Sequence, residues 1–238
     1  NPSMTFRVDV SGRNFGLNHS HFTALQVKNA LVDLQREIWG ERSDIDLNNP
    51  DLCLHLHLYE GAAVLSLDSS AQSLHKRGYR PAMGLAPLKE NLAAGLIRLT
   101  NWNFDIPLVD PLCGSGTLLI EAASIALGLA PGLNKSFLFM AWPDYNSTLW
   151  ESEKYLAINI KSNENKLPRI IGCEENLQIV NQARSNIRSI GLEGLIDVQN
   201  SSFNQLELPK KNGILVCNPP YGKRVGSEDD LENLYKEI

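Results

Sequence analysis

At 238 residues with 43% hydrophobic side chains, the chain is long enough for two units, one small and one larger, and for a packed core. Its formal net charge of −5 argues against nucleic-acid binding by bulk electrostatics, because phosphate contacts need clustered Lys and Arg; any such contact must be local. No signal-peptide pattern and no apolar run of about 18 residues is present, and Cys53, Cys113, Cys173 and Cys217 are scattered without a C-x-x-C pair. A soluble cytoplasmic protein in a reducing compartment, with no metal, no disulfide framework and no membrane partner, is therefore expected.

Phe6 to Val10 alternates apolar and polar residues as a half-buried strand does, and Ser11-Gly12-Arg13-Asn14 is a turn. Val27, Leu31, Leu34 and Ile38 recur at helical spacing, so a helix is predicted over 22–38, with Thr23 and Gln26 at capping-box spacing. Leu52, Leu54, Leu56 and Leu58 alternate with Cys53, His55 and His57, and Glu60-Gly61 turns the chain into Ala63 to Leu67, a predicted hairpin. His55 and His57 share a face as two metal ligands do, but without a third ligand at a recognisable spacing an ordinary sheet face is the reading. Over residues 1–90, 9 Lys+Arg stand against 10 Asp+Glu. Arg80-Pro81 to Pro87 reads as a junction.

A helix is predicted from Leu88 to Leu99 and a strand from Ile106 to Asp110. Pro111-Leu-Cys-Gly-Ser-Gly-Thr117 and an apolar helix over 118–127 follow. Strand, glycine turn and helix suit an anion or nucleotide, since glycines let the backbone approach a ligand and a helix N-terminus offers free N–H groups. A tight turn needing glycine for sterics alone is the plain alternative. The missing Lys and the spacing exclude both a P-loop and a G-x-G-x-x-G fingerprint. Glu121, the one charge in that apolar helix, reads as a structural hydrogen-bonding partner. Residues 133–168, with Trp142, Tyr145 and Trp150, form a partly helical insertion of no assignable role.

Arg169 to Cys173 is the next buried strand, with Glu174 and Glu175 at its carboxyl end, where an acidic side chain can accept both hydroxyls of a ribose; an ordinary acidic charge at the start of the following helix is the plain alternative. A helix over 176–190 and a strand over 195–199 come next. The last strand, Ile214 to Cys217, reads as buried on both faces. Pro219 and Pro220 end it and force Asn218 into an extended conformation, so the Asn218 side chain and the Pro219 carbonyl form two stiff acceptors beside the Tyr221 ring. Such a receptor fits a planar group bearing an NH2. Lys76, Arg77 and Arg80, then Lys210 and Lys211, then Lys223 and Arg224 are candidate local RNA contacts, with solvated surface as the plain alternative.

Alternating strands and helices predict an α/β, doubly wound parallel sheet, with ligands at the carboxyl ends of the strands. If its first and fourth strands are neighbours, residues 114–117 and 218–221 face one crevice.

Asp110-Pro-Leu-Cys-Gly-Ser-Gly-Thr117, Leu-Leu-Ile-Glu-Ala122 and Asn218-Pro-Pro-Tyr221 resemble the S-adenosylmethionine-dependent amino-methyltransferases. Phe6-Arg-Val-Asp-Val-Ser-Gly12, Ser73-Leu-His-Lys-Arg-Gly-Tyr-Arg80 and Ala86-Pro-Leu-Lys-Glu-Asn-Leu92 narrow the resemblance to the bacterial THUMP-domain 23S rRNA guanine-N2 methyltransferases. The resemblance implies a THUMP-type RNA-binding portion over 1–85 and a Rossmann-like methyltransferase domain over 86–238, acting on 23S rRNA or its assembly precursor. Carried over by motif, Asp110, Gly114, Ser115, Gly116 and Thr117 line the S-adenosylmethionine, Glu174 holds its ribose, and Asn218, Pro219, Pro220 and Tyr221 hold the target base, Asn218 also bordering the cofactor. Where such enzymes commonly place an Asp near the adenine, this chain has Asn200-Ser-Ser-Phe203, with Ser202 as the acceptor and Phe203 against the ring. Adenine N6, a glutamine side-chain amide, or an inactive RNA-binding scaffold remain open from the clamp alone. The chain opens just before a strand and ends within a helix predicted from Ser227, so it is expected to belong to a longer polypeptide.

Overall fold

The computed structural model describes residues 2–14, 16–80, 88–159, 167–209 and 212–219. The chain divides into two compact units, Asn1–Ser73 with Ser136–Glu151, and Leu74–Lys135 with Ser152–Ile238.

In the first unit, β1 (Phe6–Gly12), α1 (Ser20–Trp39), β2 (Leu52–Tyr59) and β3 (Ala62–Asp68) build a three-stranded sheet in the order β1-β2-β3, with β1 and β2 parallel and β2 and β3 a hairpin. The period-two alternation read from β2 sends Leu56 and Leu58 inward. Gly12 is required where β1 closes on β2, because a Cβ there would overlap the Leu58 carbonyl oxygen and φ is +78°. Two expectations for α1 are corrected. Its N-cap is His19, whose Nδ1 accepts the Phe22 N–H at 3.2 Å, while Thr23 lies inside the helix and donates its hydroxyl to the His19 carbonyl. The stripe Leu34 and Ile38 is 51% and 58% exposed; Thr23 and Val32 are buried instead. Gln35, on the same helix, donates to Ser43 Oγ and accepts the Ser43 N–H, both at 2.9 Å.

The unassigned insertion gains a role. A 3-10 turn, Leu138–Ala141, carries an aromatic group in which Phe137, Phe139 and Trp150 meet at ring separations of 5.3 to 5.6 Å, and the Phe139 N–H donates to the Ser69 carbonyl. These residues belong to the first unit.

The second unit contains α2 (Glu90–Leu99), β4 (Leu108–Asp110), α3 (Thr117–Leu127), most of α4 (Ser147–Asn159), β5 (Ile170–Cys173), α5 (Leu177–Ser189), β6 (Ile196–Gln199) and β7 (Ile214–Leu215). Its strands are all parallel, in the order β6-β5-β4-β7. Helices α3 and α5 both cross over in the direction β4 to β6, and right-handed crossovers place them on one face. That α3 is apolar all round follows from its position, covered by β4, β5 and β6 on one side and α2 on the other. Gly172 lets α3 sit close to β5: a Cβ there would lie within bonding-like range of Leu119 Cδ1 and 2.9 Å from Cys113 Cβ.

The burial expected of the last strand on both faces is not seen among the described residues: there β7 pairs with β4, Ile214 is half-buried and Leu215 is 57% exposed. The boundary read at 85/86 lies outside the described residues, whereas residues 74–80 belong to the second unit. The near balance of charge over 1–90 therefore dissolves, because Lys76, Arg77, Arg80 and Lys89 fall in the second unit. The first unit has 5 Lys+Arg against 11 Asp+Glu, and the second 17 against 16.

Candidate functional site

Strand β4 has β5 on one side and β7 on the other, so the chain leaves it in opposite directions and a crevice opens above the carboxyl ends. This is the juxtaposition that the first and fourth strands had to supply. Leu108 pairs with Ile214 and Val109 with Leu215, and the Val216 N–H donates to the Val109 carbonyl at 2.9 Å. Asp110 thereby ends β4 beside β7, two residues past whose end comes Cys217.

From Asp110 the backbone enters the glycine turn. The Gly116 N–H donates to the Cys113 carbonyl at 2.9 Å, with φ of +51° at Gly114 and +82° at Gly116. A Cβ on Gly116 would meet Ala183 of α5 at 3.4 Å, whereas around Gly114 there is open space. No side chain caps α3, so its first N–H groups remain available to a ligand. Ser115 is half-buried, and its carbonyl accepts Asn186 Nδ2 at 3.0 Å.

Asp110 is 2% exposed and its Oδ1 accepts the Leu112 N–H at 3.2 Å. Burial pushes its carboxyl up to about 7; the Leu112 N–H pulls it back and the Glu174 charge adds to the rise. The Cys217 thiol is raised by burial and then by the Asp110 charge. Carboxylates from β4 and β5 and the residue before Asn218 thus share one electrostatic site. Glu174 follows β5, held by its N–H to the Gln199 carbonyl, and its Oε1 accepts the Asn176 N–H at 2.9 Å. Oε2 has no partner among the described residues. Asn176 caps α5, accepting the Gln178 and Ile179 N–H groups.

After β6, Asn200 donates from Nδ2 to the carbonyls of Glu174 (3.0 Å) and Glu175 (2.8 Å). Ser202, half-buried, heads a 3-10 turn that carries Phe203. Asn218 is exposed, and its side chain has no hydrogen bond among the described residues; Pro219 is half-buried. Pro220, Tyr221, Lys210, Lys211, Lys223 and Arg224 lie outside the described residues.

One basic cluster is corrected. Arg77 pairs with buried Glu121 at 3.6 Å, and Arg80 pairs with buried Glu90 at 3.5 Å, donates to the Leu88 carbonyl and donates to Thr117 Oγ1 at 2.6 Å. These guanidiniums are internal ties and leave Lys76 as the exposed cation of the three. Tyr79 also donates to Glu121, whose carboxyl is raised by burial and drawn back by Arg77. Glu121 is the structural partner expected of it. The Thr117 hydroxyl accepts from Arg80, which leaves its own hydrogen free to donate. A cavity of about 280 Å³ opens beside this cluster, lined by Arg77, Tyr79, Arg98, Glu121 and Ser124 among others. It contains none of the glycine-turn or strand-end residues, and the crevice is the better candidate on its convergent chemistry. Sequence reading passed over Asn186, although an asparagine on the buried face set by Val180, Ala183 and Ile187 was a signal.

Residues 77–238 match the family of the RMKL-like methyltransferase domain (UPF0020), and residues 1–68 match the THUMP domain. A Synechocystis sp. protein, named provisionally as an RNA methyltransferase, is 44% identical over the whole chain, which spans 62% of that relative. The ribosomal RNA large subunit methyltransferase K/L of Syntrophotalea carbinolica is 41% identical over 98% of the chain, and 34% of its own length is covered. Among solved structures, SMU.472, assigned to the methyltransferases and crystallised with SAH, aligns at a TM-score of 0.85 with 31% identity, over 98% of this chain and 62% of that one. A Listeria monocytogenes protein, designated by prediction an N6-adenine-specific DNA methylase, aligns at 0.86 with 31% identity over 99% and 62%.

Proposed function

The chain belongs to the RMKL-like methyltransferase family, with a THUMP domain at its N-terminus, and from that premise we propose that it serves an RNA methyltransferase that moves a methyl group from S-adenosylmethionine to guanine N2 in 23S ribosomal RNA. The observation that carries the reading is the β4–β7 pairing, which brings the glycine turn and Asn218 to one crevice. The residues fit the cofactor: α3 has uncapped N–H groups, Gly114 has open space around it, and Glu174 keeps one carboxylate oxygen for a ribose. When bound, the cofactor supplies an electrophilic methyl on a sulfonium.

What the chain does is orient the acceptor. The lone pair of an exocyclic amine is delocalised into its ring, so Asn218 Oδ1 and the Pro219 carbonyl take its two N–H groups and aim that lone pair. The same acceptors stabilise the positive charge that develops on nitrogen. Tyr221, an assignment carried from the motif, stacks on a base taken out of its stack, and that unstacking costs about a few kcal/mol. An acidic first unit makes RNA contact local, consistent with shape and hydrogen bonding more than with charge.

The Listeria alignment favours a second reading, adenine N6. Incubation of the protein and labelled methyl donor with unmodified ribosomal RNA and with DNA, followed by nucleoside identification, separates them. N2-methylguanosine from 23S rRNA supports the proposal; N6-methyladenine, or label in neither, overturns it.

A further inference from the structure

Two turns of backbone border the crevice, and each is fastened by an asparagine amide reaching from another element. Asn186, on α5 and 0% exposed, donates from Nδ2 to the Ser115 carbonyl at 3.0 Å, inside the glycine turn. Ala183, three residues earlier on α5, is the neighbour that a Cβ on Gly116 would press at 3.4 Å. One helix face therefore seats the turn twice, once by close approach and once by a hydrogen bond. Asn200, after β6, donates to the Glu174 and Glu175 carbonyls and so closes the acidic turn after β5.

The other half of the Asn186 amide is the telling feature. Its Oδ1 is buried without a hydrogen-bond partner among the described residues. A buried acceptor left unpaired costs stability, and an apolar side chain of the same size avoids that cost. A residue chosen for packing alone is not expected to be asparagine here. The donor half fixes the Ser115–Gly116 peptide plane, and with it the direction of the N–H groups that begin α3. At the acidic turn, an amide is again the side chain that works. Aspartate has the same shape but no donor, and would set its charge against two carbonyl oxygens.

We propose that Asn186 and Asn200 are positioning residues, which preset the glycine turn and the acidic turn for the cofactor at the expense of fold stability in the case of Asn186. The inference rests on reading these turns as the cofactor loops. Its test uses Asn186→Leu and, because a buried substitution can fail to fold, the exposed Asn200→Ala. Three quantities are compared with the parent protein: the thermal midpoint without ligand, amide hydrogen exchange without ligand, and calorimetric affinity for S-adenosylhomocysteine. Asn186→Leu is expected to leave the midpoint unchanged or raised, to speed exchange at residues 115–117, and to weaken the ligand about tenfold. Asn200→Ala is expected to speed exchange at residues 174–175 with a comparable loss of affinity. A lowered midpoint with unchanged exchange at 115–117 would make Asn186 a packing residue and overturn the first half. Unchanged exchange in Asn200→Ala overturns the second. If the parent binds no S-adenosylhomocysteine, the functional reading fails and the exchange measurements still decide this one.

Discussion

Replacing Asp110 by asparagine isolates the electrostatic cost of building the crevice. The carboxyl is 2% exposed and its proton is held up to about 7 against an ordinary 3.8, with burial as the leading cause. Between those values the folded chain keeps a proton that the unfolded chain releases, so folding stability falls as pH rises from about 4 to about 7 and stays low above it. A rise of that size corresponds to about 4 kcal/mol. Asparagine retains an acceptor for the Leu112 N–H and never ionises. The variant should therefore match the parent near pH 4 and exceed it by up to about 4 kcal/mol at pH 8, a gain in thermal midpoint on the order of 10 °C for a domain of this size. Parallel thermal and urea melts of both proteins at half-unit steps from pH 4 to 8 read this directly. A difference between them that stays constant across the range would refute the reasoning, since it would mean that Asp110 ionises as easily folded as unfolded.

Asn218→Ala should keep the fold and the affinity for S-adenosylhomocysteine while slowing methyl transfer by about 10²-fold, the scale for losing one preset polar group at a reacting atom; an equal loss of ligand affinity in calorimetry contradicts the assigned role. Glu174→Ala should do the reverse, weakening the ligand through its ribose. A 2′,3′-dideoxy analogue should then no longer distinguish variant from parent, and a persisting difference would discount the ribose contact. Gly172→Ala forces a methyl group against Leu119 and Cys113 and should cost about 1–3 kcal/mol in urea titration. An unaltered midpoint would show that α3 and β5 are packed with slack.

The order of elements was legible because the second unit speaks in unmixed signals. Ile170 to Cys173 and Leu118 to Leu127 are apolar runs of lengths that belong to a buried strand and a buried helix, and the glycines between strand and helix admit few conformations. Glu174 and Asn218 came with them, just beyond strand ends, whereas Asp110, the last residue of β4, was singled out by the family resemblance. Tertiary choices were not legible. Which face of α1 is buried, Thr23 and Val32 instead of Leu34 and Ile38, was not written in its apolar spacing. Arg77 and Arg80 looked like solvent-facing cations until the structure supplied buried partners, Glu90 ten residues after Arg80 and Glu121 forty-four residues after Arg77.

The inserted aromatic segment has a consequence for the order of assembly. Residues 136–151 leave the second unit between α3 and β5, join the first unit and return, so the chain passes between the units three times. During synthesis the first 73 residues emerge with their sheet already encoded, but the Phe139 tie to Ser69 waits until more than sixty further residues have followed. By then β4 and α3 have been made and β5, their partner, has not. The aromatic tie of Phe139 to Ser69 is therefore made only after part of the second unit has been synthesised, and a cut at residue 73 would remove it.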